Sequence, residues 1–366
     1  MLLIFFISFF VSCFAALLLI RYIHLHQKLS GDVHTKGPQK FHIGLTPRIG
    51  GIPILVGIGI GGSLAVANEL ISNQLALALL LAVSPVFILG LVEDITNRVP
   101  PVWRLLASFL SAGIASWMIG AILGGIGLPL IDDLFVVFPL FSVVFTIIAV
   151  GGVCHSLNII DGYNGLASGV SGMILLALGY VCFEVHDREL MAICLVSAGA
   201  VVGFMVWNFP RGLIFAGDGG AYLLGFLIAE ISVLLVVRNP QVSPWFPFTL
   251  VVYPAWETLF TMYRRRIIRG QSTSLPDALH LHQMVFRRLV RWMVGRREAR
   301  HLLRRNSMTT PYLWGMGLLT VVPAVLAWKY PFFLQICCAL FVVFYLWLYR
   351  RLVRFRAPRW MVLGKE

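Results

Sequence analysis

Apolar stretches of about twenty residues, the length that crosses a bilayer as a helix, recur from one end of this chain to the other. Short polar segments separate them. The pattern predicts eleven spans, at roughly 2–20, 48–67, 74–92, 104–123, 134–152, 163–183, 190–207, 221–237, 246–263, 312–328 and 332–349. The expected fold class is therefore all-α, a polytopic integral membrane protein. A single membrane-embedded unit over 1–366 is expected, with a basic loop at 264–311 and no length left for a separate soluble domain. The first apolar stretch lacks a basic leading region and a small-residue cleavage site, and Arg21 follows it. It reads as a retained span rather than a signal peptide.

Composition agrees: 59% of the 366 residues are hydrophobic and 12% charged, with mean hydropathy +0.86, whereas soluble domains carry about 25% charged residues. The six cysteines, at 13, 154, 182, 194, 337 and 338, lie in or beside apolar segments. Their spacing suggests neither a disulfide framework nor a CxxC metal site. Formal charge is +13, and its placement says more than its size. With eleven spans, alternate loops share a side, and all of the 29 Lys and Arg except Arg188, Arg238 and Lys329 fall on one side. Basic loops stay cytoplasmic, which puts the N-terminus outside and the C-terminus inside.

Acids also gather on that basic side. Glu93 and Asp94 follow a span directly, and Asp218 stands among Gly217, Gly219 and Gly220 at the start of another. A solvated helix end is the plainer account of the first pair. The other is oxygen ligands for Mg²⁺, or one ligand and one base. Between them runs Cys154-His155-Ser156-Leu157-Asn158-Ile159-Ile160-Asp161-Gly162-Tyr163-Asn164-Gly165. On a helix, His155, Asn158 and Asp161 share a face. Asn208 lies in the same loop as Asp218. Lys40 and the run Thr46-Pro47-Arg48-Ile49-Gly50-Gly51 occupy the first basic loop, where turn punctuation suffices to explain them.

The longest basic loop carries Pro276-Asp277 and then His280-Leu281-His282-Gln283. Histidines at i and i+2 point together only on extended backbone, and no third soft ligand is spaced for zinc, so anion contact is the better reading. From Arg287 to Arg305 the basic residues alternate with Leu289, Trp292, Met293, Leu302 and Leu303. That suits an interfacial helix on anionic lipid, and no other feature supports nucleic-acid binding.

Carboxylates and basic groups on one membrane face suit a metal–phosphate substrate, the acids holding Mg²⁺ and the cations stabilising charge during phosphoryl transfer. A membrane-surface site makes sense if one substrate is a lipid phosphate and the other a nucleotide. The rival from another class is a transporter or flippase for an anionic lipid or solute, with Glu230, inside the eighth span, as its functional acid. It leaves the acids on the basic side unexplained. An inactive scaffold is the third reading.

These residues, in this order and on one side, resemble the polyprenyl-phosphate N-acetylhexosamine-1-phosphate transferases. That family includes phospho-N-acetylmuramoyl-pentapeptide transferase and the WecA-type enzymes. The likeness runs through Pro47 to Gly51, Glu93-Asp94, Asn158 to Gly165, Asn208 with Gly217-Asp218, and Pro276-Asp277 with His280-Leu281-His282. It implies transfer of a sugar-1-phosphate from a UDP-sugar to undecaprenyl phosphate at the cytoplasmic face of the bacterial inner membrane, with UMP released and a lipid-linked glycan begun. By the same likeness Asp218 is the ligand of Mg²⁺, which Mn²⁺ could replace. Asp94 deprotonates or positions the lipid phosphate. Glu93, Asp161, His280 and His282 complete the catalytic group. Asn158, Asn164, Asn208, Arg104, Arg48 and Lys40 bind substrate. Membrane lipids and a second copy of the chain are the other partners it implies. Five places depart from the pattern: Glu93 and Glu257 where Asp is common, Asn164 for the second acid of DGxDG, Gly219-Gly220-Ala221 without the Ser after Asp218, and Gln283 for a histidine. Gln283 argues against the pentapeptide-transferase branch, and together they leave the sugar donor open.

Overall fold

In the computed structural model, residues 1–32, 46–270, 279–290 and 299–355 are described. Each of the eleven predicted spans contains a helix: α1 (Leu2–Arg21), α3 (Gly51–Ala67), α4 (Asn73–Thr96), α5 (Pro101–Ile119), α7 (Pro139–Ile160), α8 (Leu166–Glu184), α9 (Arg188–Asn208), α10 (Gly217–Arg238), α11 (Trp245–Tyr263), α13 (Ala299–Leu326) and α14 (Pro331–Val353). The chain is an all-α polytopic membrane protein. Nine of these helices, among the described residues, are long and apolar enough to cross a bilayer. The two outside that number are α3, only 17 residues long, and α11, interrupted by Pro254 and carrying Glu257.

Three short helices were not foreseen: α2 (Ile23–Ser30), α6 (Pro129–Val137) and α12 (Leu281–Met284). A two-residue antiparallel pairing, Gly31–Asp32 with Thr46–Pro47, closes the first loop. Of the basic stretch, Arg287 to Val290 lie in a short helical segment, Val285–Val290, and from Ala299 onward it is the start of α13, which runs unbroken into the apolar stretch.

Local chemistry sets the helix ends. Ser72 caps α4, accepting the Leu75 N–H at 3.3 Å, and Asp187 caps α9, accepting the Leu190 N–H at 3.0 Å. Pro101 opens α5 at a position where a missing N–H costs nothing. Pro85 inside α4 interrupts the backbone ladder. The neighbouring Val86 N–H is taken by the Ser111 Oγ of α5 at 3.1 Å, as it must be where no water can reach.

The core is arranged around α10. Of its most apolar window 89% is buried, against 78% for α8 and only 22% for α1. Lipid is as apolar as leucine, so helices in a membrane associate through close packing rather than hydrophobic expulsion. Glycine provides that closeness: a Cβ on Gly90 of α4 would stand 2.8 Å from Gly219 of α10, and one on Gly225 would stand 2.5 Å from Cys154 of α7. The six cysteines are all unbridged, as their sequence spacing suggested.

Candidate active site

The start of α10 has a problem that its own sequence cannot solve. The N-cap residue is Ala216, which has no side-chain acceptor for the first free N–H groups. Asp94, in the last turn of α4, supplies one from across the bundle. Its two oxygens accept the N–H groups of Asp218 and Gly219 at 2.8 and 2.9 Å, with Asp94 only 2% exposed. Gly217 adopts φ +70°, and a Cβ there would overlap the Arg48 carbonyl and the Asp94 carboxylate, so only glycine serves. The segment before α3 is zipped to the same place: Phe215 N–H reaches Pro47 O, Gly50 N–H reaches Phe215 O and Gly51 N–H reaches Ala216 O, each at 2.9 Å.

So fixed, the Asp218 side chain meets two partners. Arg104 of α5 forms an ion pair with its Oδ2, and the Asn158 amide of α7 donates to its Oδ1 at 3.0 Å. Arg48 stands 3.9 Å from Asp94 and donates to Asn97 Oδ1 at 2.8 Å. Asp161, which ends α7, belongs to the same electrostatic neighbourhood. Burial first, and the Asp218 charge second, push its carboxyl up to about 7, opposed by Arg48. Asp94, Asp161, Asp218, Arg48, Arg104 and Asn158 are thus brought together. His155, one turn before Asn158, lies edge-on to Tyr222 with ring centroids 5.0 Å apart.

Other candidates hold the scaffold. Glu93 accepts the Val99 N–H at 2.7 Å and ties down the loop after α4. Asn208 accepts the Gly165 N–H at 2.6 Å and donates to Ile214 O at 2.8 Å. Asn164 takes Asn306 on its backbone N–H at 2.9 Å and donates to Pro210 O at 3.1 Å. These two amides staple the 162–165 turn to the loop before α10. Lys40 and Asp277 lie outside the described residues.

The histidines come in from α12. His280 Nδ1 is 3.0 Å from the Glu257 carboxylate and 3.2 Å from the Thr261 hydroxyl. The His280 and His282 rings are parallel, 5.0 Å apart. His282 also lies across Tyr163 at 5.4 Å and over Gly162, where an added Cβ would be 3.3 Å from its Nε2. The histidine pair therefore borders the turn that bears Asp161. Glu257 is the functional residue that spacing arguments passed over. A carboxylate inside an apolar span was the available signal.

A divalent ion was tested against this cluster. Among the described residues, Asp94, Asp161 and Asp218 stand in the fields of Arg48 and Arg104, an excess of acid in a largely buried place. Among the described residues no three His, Cys, Asp or Glu side chains converge as a ready metal cage. The donor set fits an ion of the Mg²⁺ kind, held by one carboxylate and completed by water and phosphate oxygens.

Fold and site together define a polytopic membrane protein with an acidic, phosphate-suited site set into one end of its helix bundle. The family resemblance is borne out: the model for glycosyl transferase family 4 matches residues 76–236, which include every acid of the cluster and stop short of Glu257 and the histidines. A Bacillus subtilis (strain 168) protein named "Probable undecaprenyl-phosphate N-acetylglucosaminyl 1-phosphate transferase" is 25% identical over 281 residues, 75% of each chain. The Mycolicibacterium smegmatis decaprenyl-phosphate N-acetylglucosaminephosphotransferase is 26% identical over 309 residues, 75% of this chain and 72% of that one. The Escherichia coli (strain K12) undecaprenyl-phosphate alpha-N-acetylglucosaminyl 1-phosphate transferase is 27% identical over 270 residues, 71% of this chain and 70% of that one.

Proposed function

We propose that this chain is a phosphoglycosyltransferase that moves an N-acetylhexosamine-1-phosphate from a UDP-sugar to undecaprenyl phosphate. The observation that carries the reading is the Asp218 carboxylate, clamped between Arg104 and Asn158 at a helix start that Asp94 caps. An oxygen of the lipid phosphate bonds to the sugar-bearing phosphorus of the donor. The bond from that phosphorus to the bridging oxygen breaks, and UMP leaves with that oxygen and its electron pair. Any proton on the attacking phosphate needs an acceptor. Asp161, raised to about 7, is matched to that task near neutral pH, whereas both oxygens of Asp94 are engaged in holding α10. Arg104 and Arg48 supply positive charge for the diphosphate, and Asn158 orients Asp218.

Asp218 would hold Mg²⁺, or Mn²⁺ in its place, which when bound neutralises charge on the phosphate oxygens. The asymmetry of Lys and Arg among the loops supports a site on the cytoplasmic face of the inner membrane, where a nucleotide sugar is available. The test is purified protein with Mg²⁺, undecaprenyl phosphate and a panel of UDP-sugars. UMP release is expected with at least one N-acetylhexosamine donor, and Asp218→Ala is expected to abolish it. Glu230→Gln is expected to leave it unchanged. Movement of lipid or solute without UMP would favour the transporter reading, and silence across the panel with intact ligand binding would favour an inactive scaffold.

A further inference from the structure

Glu257 is fully buried in α11, where a carboxylate left without partners is strongly destabilising. Three donors from two elements answer it. Its Oε1 faces His280 Nδ1 at 3.0 Å and accepts the Leu281 N–H at 3.2 Å. Its Oε2 accepts the Tyr345 O–H of α14 at 2.8 Å and lies 3.3 Å from the same Leu281 N–H. The backbone of His280 is held in turn, its N–H donating to Gln283 Oε1 at 3.3 Å. Among the described residues, the other titratable groups facing it are Tyr253 of α11, His282 of α12, Tyr349 of α14, and Arg264, which donates to Leu279 O at 3.0 Å and to the Tyr349 hydroxyl at 2.9 Å.

A carboxylate on one imidazole nitrogen decides which nitrogen carries the proton and favours the charged ring. With Nδ1–H committed to Glu257, Nε2 is the nitrogen left for other contacts. The ring's plane is fixed as well, and His282 stacks parallel to it against the turn that bears Asp161.

We propose that Glu257 is a positioning residue for the transfer reaction: it sets the tautomer and plane of His280, and through the stacked pair the place of His282 beside the Asp161–Gly162 turn. The effect on turnover rests on the transferase reading; the effect on the imidazole does not. Gln in place of Glu257 keeps the size and one acceptor but loses the charge.

The experiment combines kinetics with NMR of the full-length protein carrying ¹⁵N-labelled histidine rings. In Glu257→Gln the His280 signal is expected to lose its dominant Nδ1–H form. UMP release is expected to fall about tenfold or more in kcat, with KM for the UDP-sugar changed less than about twofold. Tyr345→Phe, a milder change that leaves the carboxylate and removes one of its donors, is expected to keep the Nδ1–H form of His280. In a His280→Gln background, Glu257→Gln should add no further loss. An unchanged His280 tautomer in Glu257→Gln would overturn the proposal, as would full additivity with His280→Gln. Were the wild-type protein to release no UMP from any donor, the transferase reading would fail, and the NMR tautomer assignment would still decide the carboxylate–imidazole pair.

Discussion

The two ends of the bundle carry the same kinds of charged side chain and use them differently. At the end opposite the site, Glu189 of α9 accepts the Ser72 N–H and hydroxyl at 2.9 and 2.7 Å and pairs with Arg238 at 2.8 Å. Asp187 caps its own helix and is 3.8 Å from the same arginine. Both of these acids close a helix end and meet a cation, with side chains 11% and 25% accessible. At the site end, Asp94 performs the same capping task but in trans and fully buried, and this fixes Asp218 where Asp161 and Glu93 add to the negative field. The cap that is merely structural at one end becomes, at the other, a device for holding a carboxylate in an acid-rich pocket.

The largest effect should come from removing that trans cap. Asp94→Asn keeps one acceptor and loses the other together with the charge, so α10 loses one of its two cap bonds. A stability loss of about 1–2 kcal/mol is expected, read as a lower unfolding midpoint in detergent. UMP release should fall far more, by about a hundredfold or beyond, because Asp218 is no longer fixed. Loss of stability with full activity would show that the cap is as structural here as at the other end.

Arg104 offers the next test. Its ion pair with Asp218 places a cation on the oxygen proposed to hold the metal, so protein and metal compete for one carboxylate. Arg104→Gln is expected to tighten Mn²⁺ binding without nucleotide by about tenfold, roughly 1.4 kcal/mol. It should also raise KM for the UDP-sugar by a similar factor, since the diphosphate loses a cation. Unchanged Mn²⁺ affinity, measured by electron paramagnetic resonance, would remove Asp218 as the ligand.

Sequence made some of this visible and hid the rest for identifiable reasons. The spans were legible because a bilayer demands length and apolarity, and the acidic turns because ionisable groups at membrane edges are costly. Asp94 was legible as an acid beside Asp218, but not as a cap, since its partners are backbone N–H groups 124 and 125 residues away. Asn164 and Asn208 looked like ligand contacts because spacing cannot tell a side chain facing a pocket from one facing a loop backbone. The two intramembrane glutamates are the clearest case. Glu230 drew attention as a lone acid in an apolar run, and both its oxygens are buried without a hydrogen-bond partner. Glu257, equally buried, organises His280 and Tyr345, which come from segments 23 and 88 residues distant. Partners that far along the chain leave no local trace.

Asp161 gives a pH test of the acid excess. Its carboxyl is raised to about 7, against an ordinary value near 4. Between those values the folded protein holds a proton that the unfolded chain has released, so this group makes folding less favourable as pH rises from about 4 to about 7. A metal ion at Asp218 would cancel the charge that helps hold the proton, so binding should release protons and strengthen as pH climbs through about 7. Thermal stabilisation by Mg²⁺ is therefore expected to grow between about pH 6 and about pH 8, and Asp161→Asn should flatten the dependence. A dependence as steep in that variant as in the wild type would assign the released proton elsewhere.

The smallest effect belongs to the opposite end, and it completes the comparison. Glu189 and Arg238 are partly exposed, with side chains 25% and 33% accessible, so their ion pair is screened and worth little, about 0.2–1 kcal/mol. Glu189→Gln keeps an acceptor for Ser72 and loses the charge. It should lower stability by no more than about 1 kcal/mol, less so at high salt, and leave UMP release, KM and Mn²⁺ affinity as they were. A charge change of the same size thus costs a few tenths to one kcal/mol where water screens it, and removes function where it does not. If Glu189→Gln reduced turnover as much as Asp94→Asn, the two ends would be coupled through α10 and the division of labour between them would be wrong.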